Sequence, residues 1–190
     1  VKNIFIVKKK IKPFNKILKI EGDKSLSIRW ALLASQASGK SIATNILKSE
    51  DVKSTLGCLS KLGVKVKLLK NKCIIIGMGI NGYKYKKNTI LNAGNSGTLA
   101  RLIMGLLVHS KSPVKIIGDK SLSKRDFLRI TEPLEKFGAK FKTNYGKLPI
   151  LQKNVSSLPE SVNTSATPSP HPRYTRGLAW RGEGGQGPGI

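Results

Sequence analysis

Apolar positions along this chain recur in two rhythms. Over residues 96–109, Leu99, Leu102, Ile103, Leu106 and Leu107 fall three and four apart, the period of an amphipathic helix. Phe127, Ile130, Leu134 and Phe137 repeat that spacing over 125–137, where Pro133 is expected to kink the helix. A third helix is predicted over 25–38, with Leu26, Trp30, Leu33 and Ala37 on one side. The fourth covers 50–62: Ser49 reads as its N-cap, Glu50 and Asp51 suit its first turn, and Gly63 is its stop. Short β-branched runs between them predict strands at 16–20, 41–46, 64–69, 73–76, 88–92, 114–117, 139–143 and 148–152. The order is strand, helix, strand, helix, strand, strand, and then the same again. This describes an α/β chain built of two βαβαββ units.

The letters repeat along with the elements. LSKLGVKVK at 59–67 answers LEKFGAKFK at 134–142, and GDKSLSIRWALLA at 22–34 answers GNSGTLARLIMGL at 94–106. A closer likeness breaks this phase. GDKSLSIR at 22–29 returns as GDKSLSKR at 118–125, yet the first copy precedes the first helix of its unit and the second copy precedes the second. The octapeptide is therefore not the mark of the duplication. One device, a glycine turn with a basic residue, is used twice, and the further shared letters are read as coincidence.

Composition changes the picture at two points. From Asn154 onward lysine vanishes and Gly, Pro, Ser and Thr make up more than half of the residues. Such a stretch buries too little apolar surface to offset its chain entropy. Residues 154–190 are thus expected to be a disordered tail, and the abrupt switch points to a foreign or frame-shifted end. The second point is charge. A net charge of +25 usually marks a partner of polyanions. Here, however, all 28 lysines lie at or before Lys153, beside only four arginines, and KKK at 8–10 is their one dense run. Nucleic-acid binders cluster their charge, so the excess reads as a compositional bias. A basic nucleic-acid-binding module stays as the rival reading, weakened by the scarcity of arginine and aromatics.

Other classes drop out quickly. Cys58 and Cys73 have neither disulfide nor metal-ligand spacing, and His109 and His171 lack partners for zinc, so no zinc site is expected. The longest apolar run, LIMGLLV at 102–108, is too short for a bilayer. FIV at 5–7 reads as part of a strand, not a signal peptide, so the expected location is cytoplasmic. ASQASGKS at 34–41 comes close to a phosphate loop but stands at the end of a helix instead of between a strand and a helix. GMGING at 77–82 spells a dinucleotide fingerprint, yet YKYKKN follows it where a helix is required; it reads as a glycine-rich turn.

GDKSLSIR and NAGNSGTLAR at 92–101 carry more weight. Each leads a glycine-containing turn into a helix, where free backbone N–H groups and the helix dipole favour an anion. Ser25 and Arg29 share one helix face, as do Thr98 and Arg101. Caps alone do not require an arginine one turn further on.

At these residues the chain resembles 5-enolpyruvylshikimate-3-phosphate synthases. Gly22, Asp23, Lys24, Ser25, Ser27 and Arg29 match the family's GDKS-x-S-x-R, while Gly94, Asn95, Ser96, Gly97, Thr98 and Arg101 match its GN-[AS]-GT-x-x-R. Gly118, Asp119, Ser121, Leu122 and Arg125 match its G-D-x-S-L-x-x-R, although Asp126 stands where the family usually has proline. KSEDVKSTLGCLSKLG at 48–63 also lies in its expected place.

The resemblance implies an inside-out α/β barrel of βαβαββ units, of which about two are present, and a reaction without cofactors. Enolpyruvyl would pass from phosphoenolpyruvate to the 5-hydroxyl of shikimate 3-phosphate. By resemblance Lys24 is the catalytic residue between the two substrates, and Ser25 and Arg29 hold shikimate 3-phosphate. Asn95, Gly97 and Arg125 line the phosphoenolpyruvate pocket, where the family's inhibitor glyphosate also fits, and Thr98 and Arg101 support the loop. Full-length members are expected to be monomers with two such domains. Residues 1–20 then belong with the other domain, and 21–152 form a partial domain of units at about 22–80 and 88–152. Groups from the far side of the cleft are missing, so no turnover by this chain alone is expected. A third reading is a non-catalytic fragment whose uncovered surface drives self-association.

Overall fold

The computed structural model describes residues 20–153, apart from Asn71 and Lys111. The first half runs through helix α1 (Lys24–Gln36), strand β1 (Ser38–Thr44), helix α2 (Glu50–Lys61), β2 (Lys65–Leu68) and β3 (Lys72–Met78). The second half runs through β4 (Thr89–Asn92), α3 (Gly97–Leu106), β5 (Val114–Ile117), the one-turn α4 (Lys120–Ser123), α5 (Leu128–Lys136), β6 (Lys140–Asn144) and β7 (Lys147–Lys153). Most of the strand expected at 16–20, and the tail expected from 154, lie outside the described residues.

Pairing makes the sequence repeat a structural one. The first sheet has the order β1-β3-β2, and the second has β4-β5-β7-β6. In each, the strand after the first helix pairs antiparallel with the last strand of the unit, which pairs antiparallel with the strand before it. β4 adds a parallel partner to β5. Alternation drives these strands: in β5, Val114 and Ile116 are buried while Lys115 faces out. In β7 the inward set is Leu148, Ile150 and Gln152. Gln152 is fully buried, and its Nε2 donates to the carbonyl of Met104 at 3.1 Å, tying the second sheet to α3.

One core joins both halves. Ile28, Leu59, Ile75, Leu99, Ile103, Ile116 and Phe127 are almost wholly withdrawn from water within a single cluster. Burying a side chain of this size stabilises by about 1.5–3 kcal/mol. α1 packs on α2, β3 and α3, so the helices hold the two sheets together. Burial also silences both thiols, pushing Cys58 up to about 11 and raising Cys73.

Several expectations change. α1 buries Ile28, Ala31, Leu32 and Ser35, while Leu26 and Leu33 are 64% and 70% exposed. The residues on its core side include Ala31, Ala34 and Ser35, all small, and Gly77 lets β3 come close: a Cβ there would stand 2.1 Å from the Ala37 carbonyl oxygen and 2.4 Å from that of Ala34. The helix expected over 125–137 is shorter than its pattern: only Leu128–Lys136 is helical, and α4 has already ended at Ser123. The Phe127 N–H donates to the Gly146 carbonyl at 2.8 Å and the Asp126 carboxylate caps Leu128 N–H at 2.8 Å, so α5 begins only there. Pro133 lies inside α5. Ser49 stands at the N-cap of α2 without capping it; its Oγ is buried and makes no hydrogen bond among the described residues. On α3, Leu102 departs from the expected stripe, being 42% exposed. Gly63 ends α2 as expected, with φ +90°. GMGING spans the end of β3 and the turn after it, and ASQASGKS spans the end of α1 and the start of β1.

Candidate functional site

The first helix start is fixed by its own letters. Asp23 accepts the Leu26 N–H at 2.7 Å, a side-chain N-cap. Gly22 leaves no room for a methyl group, since a Cβ there would meet the Asn45 carbonyl oxygen at 2.0 Å. Ser27 Oγ donates to the Asp23 carbonyl at 2.7 Å and accepts the Leu47 N–H at 3.1 Å, pinning the following loop. Lys24, at the first position of α1, lies 3.1 Å from Asp51 Oδ2 in the first turn of α2. Both groups keep contact with water, so the pair positions more than it stabilises. Ser25 is half-buried, and Arg29, one turn on, is exposed.

The second helix start is more tightly knit. Asn92 Oδ1 accepts the Gly94 N–H at 2.9 Å, Gly94 takes φ +57°, and buried Ser96 caps α3 through the Leu99 N–H at 3.3 Å. Gly97 opens α3 with bare backbone. A Cβ there would lie 2.8 Å from Arg101 Nη1 and 2.9 Å from Arg125 Nη1. Two guanidinium groups therefore lie against one α-carbon, and Arg101 is also seated 5.3 Å over the Phe127 ring. Arg125 Nη2 donates to Asn95 Oδ1 at 3.2 Å, and Asn95 Nδ2 donates to Asp119 Oδ2 at 2.6 Å. Asp119 in turn accepts the Leu122 N–H at 2.7 Å and donates its own N–H to the Gly94 carbonyl at 2.8 Å. The Asn95 amide, the Leu122 N–H and, more weakly, Arg125 hold the Asp119 carboxyl below its usual range.

Of the residues singled out in the sequence, Asn95, Gly97, Arg101 and Arg125 meet in one cluster, with Thr98 in the first turn of the same helix. Lys24, Ser25 and Arg29 sit on the neighbouring helix start. α2 connects the two. Its Asp51 reaches Lys24, and its Ser54, three residues on, stands with Oγ 3.0 Å from where a Gly94 Cβ would be. Asp51, Ser54 and Asp119 were given no site role from sequence. Asp51 read there as a first-turn acid, and Asp119 as one letter of a motif. The cluster of two guanidiniums and an amide beside a helix start suits a small anion bearing carboxylate or phosphate oxygens.

Comparison with known proteins agrees with that chemistry. The family model for EPSP synthase (3-phosphoshikimate 1-carboxyvinyltransferase) matches residues 8–165. The 3-phosphoshikimate 1-carboxyvinyltransferase of Ruthia magnifica subsp. Calyptogena magnifica is 42% identical over 151 residues, covering 78% of this chain and 34% of the relative. That of Bacillus pumilus (strain SAFR-032) is 38% identical over 128 residues, covering 67% of this chain and 30% of the relative. A solved structure of EPSP synthase from Acinetobacter baumannii superposes with a TM-score of 0.68 at 35% identity, covering 72% of this chain and 31% of that one. The α/β fold class implied by the resemblance is therefore the one found. The chain spans about a third of the length of the curated relatives it matches.

Proposed function

The chain belongs to the EPSP synthase family, and on that premise we propose that it carries the anion-binding half of a 3-phosphoshikimate 1-carboxyvinyltransferase site. In that reaction a proton adds to the methylene of phosphoenolpyruvate, and the 5-hydroxyl of shikimate 3-phosphate attacks C2. The tetrahedral intermediate then expels phosphate and restores the enol ether. Ser25 and Arg29 at the start of α1 hold shikimate 3-phosphate. Asn95, the Gly97 backbone and Arg125 hold phosphoenolpyruvate, with Thr98 and Arg101 supporting the loop. Lys24 lies between the two ligands and balances charge at the reacting carbon. The observation that carries this reading is the packing of Arg101 and Arg125 against Gly97.

Residues 21–152 make up the partial transferase domain of this reading; the segment expected at 1–20 lies, apart from Ile20, outside the described residues. The setting is the cytoplasm; none of the described helices is long and apolar enough to cross a membrane. Turnover needs groups from both walls of the cleft, and this reading assigns the described residues ligand binding.

Calorimetric titration of the purified chain with each substrate, at low and moderate salt, tests the reading. Expected is saturable uptake of shikimate 3-phosphate that Lys24→Ala or Arg29→Ala abolishes, with uptake of phosphoenolpyruvate left to Arg125. No uptake of either ligand by a folded chain refutes the reading.

A further inference from the structure

An amide side chain can turn either its oxygen or its NH2 group to a neighbour, and a binding site must settle which. We propose that Asp119 is the positioning residue of the phosphoenolpyruvate pocket, fixing the Asn95 amide and, through it, the Arg125 guanidinium. This deepens the reading above and rests on its assignment of Asn95 and Arg125 to one anion.

An ionised carboxylate only accepts hydrogen bonds. Opposite Asp119 Oδ2, Asn95 must therefore present Nδ2, and it does so at 2.6 Å. That choice leaves Asn95 Oδ1 for Arg125 Nη2, at 3.2 Å. The second N–H of Asn95 and the other guanidinium donors of Arg125 make no hydrogen bond among the described residues, which leaves them for the ligand. Reversing the amide would set NH2 against guanidinium and oxygen against carboxylate, two repulsive contacts.

Asp119 is well placed for the task because secondary structure holds it. Its Oδ1 accepts the Leu122 N–H at 2.7 Å, and its backbone N–H reaches the Gly94 carbonyl at 2.8 Å. It thus spans from the turn after β5 to the loop before α3. Asp23 occupies the same place in the first octapeptide and makes the same cap bond, but no side-chain amide meets it among the described residues. The lowered pKa of Asp119 agrees with this arrangement, the Asn95 amide being its largest cause.

The decisive variant is Asp119→Ser, because serine still caps a helix but lacks the second oxygen. Asp119→Asn also keeps a cap, while setting NH2 against the NH2 of Asn95. In either variant phosphoenolpyruvate affinity is expected to fall about tenfold, the scale of one hydrogen bond to a charged group. Shikimate 3-phosphate affinity should stay near native, and both variants should still unfold cooperatively. In an Asn95→Ala background Asp119→Ser should cost phosphoenolpyruvate binding nothing more, since the residue acts through Asn95. Native phosphoenolpyruvate affinity in Asp119→Ser, or an equal loss in both backgrounds, overturns the proposal. If the native chain takes up no phosphoenolpyruvate, the functional reading fails on its own. The Asn95 side-chain amide, observed by NMR in the ligand-free chain, then decides the role of Asp119. One shifted, slowly exchanging proton that Asp119→Ser releases supports the anchoring; an amide signal unchanged in that variant overturns it.

Discussion

GDKSLSIR and GDKSLSKR start their helices in the same way. Asp23 caps the Leu26 N–H and Asp119 caps the Leu122 N–H, both at 2.7 Å. The first backbone turn closes alike too, with Ser27 N–H to Asp23 O at 3.0 Å and Ser123 N–H to Asp119 O at 2.9 Å. After that they part. α1 continues for 13 residues, but α4 stops after 4, because Asp126 and Phe127 bond to a different helix start and to the β6–β7 turn. Leu26 is 64% exposed, whereas its counterpart Leu122 is fully buried. The shared letters are thus not mere coincidence. They specify a capped helix start, while what the start is packed against decides everything beyond one turn.

The comparison is easily attacked at matching positions. Leu122→Ala should destabilise by about 2–5 kcal/mol, as a large-to-small change in a closed core does. Leu26→Ala should stay within about 0.5 kcal/mol. Equal shifts in the denaturant midpoints of the two variants would mean that the octapeptides share their surroundings as well as their caps.

The glycines that open the two copies give a smaller contrast. On Gly22 a methyl group meets the Asn45 backbone oxygen at 2.0 Å, while on Gly118 it meets Leu122 Cδ2 at 2.6 Å and backbone, the Gly94 oxygen, only at 3.0 Å. Gly22→Ala is expected to cost about 3 kcal/mol and Gly118→Ala about 1 kcal/mol. Thermal unfolding of the two variants side by side ranks them.

Acid should produce the smallest difference. The folded-state pKa of Asp119 is depressed, so its contribution is present above the ordinary carboxylate range and lost as pH falls through the lower folded value. Native and Asp119→Ala chains should therefore differ in unfolding midpoint near neutrality and converge towards the acid end. A gap that stays constant down to that end would show that Asp119 acts without its charge.

Local rules made much of this fold legible. Alternation located β5 without error, and the glycine stop ended α2 at Gly63. The repeat of letters foretold the matching β1-β3-β2 and β5-β7-β6 arrangements. Periodicity failed where a helix has apolar residues on both sides: the pattern of α1 names a side at Leu26, Trp30 and Leu33, and packing chose the side of Ala31, Ala34 and Ser35, where Gly77 lets β3 approach. It failed again at 125–137, where a bond to distant Gly146 and a local turn at Asp126 hold the chain out of helix until Leu128. Within the site, Asn95, Gly97 and Arg125 were legible as motif letters. Asp51 and Ser54 were not, since their part depends on α2 lying against two other helix starts.

The uncovered side of α1 bears on how the molecule behaves in solution. Leu26 and Leu33 offer copies of the chain an apolar contact, while a net charge of +25 drives those copies apart. Only the second of these forces reaches far, and salt shortens that reach to roughly 10 Å at 0.1 M. Dilute buffer is therefore expected to favour dispersed molecules, and moderate salt to permit contact along α1. Light scattering against ionic strength should read a rise in apparent mass if that contact forms.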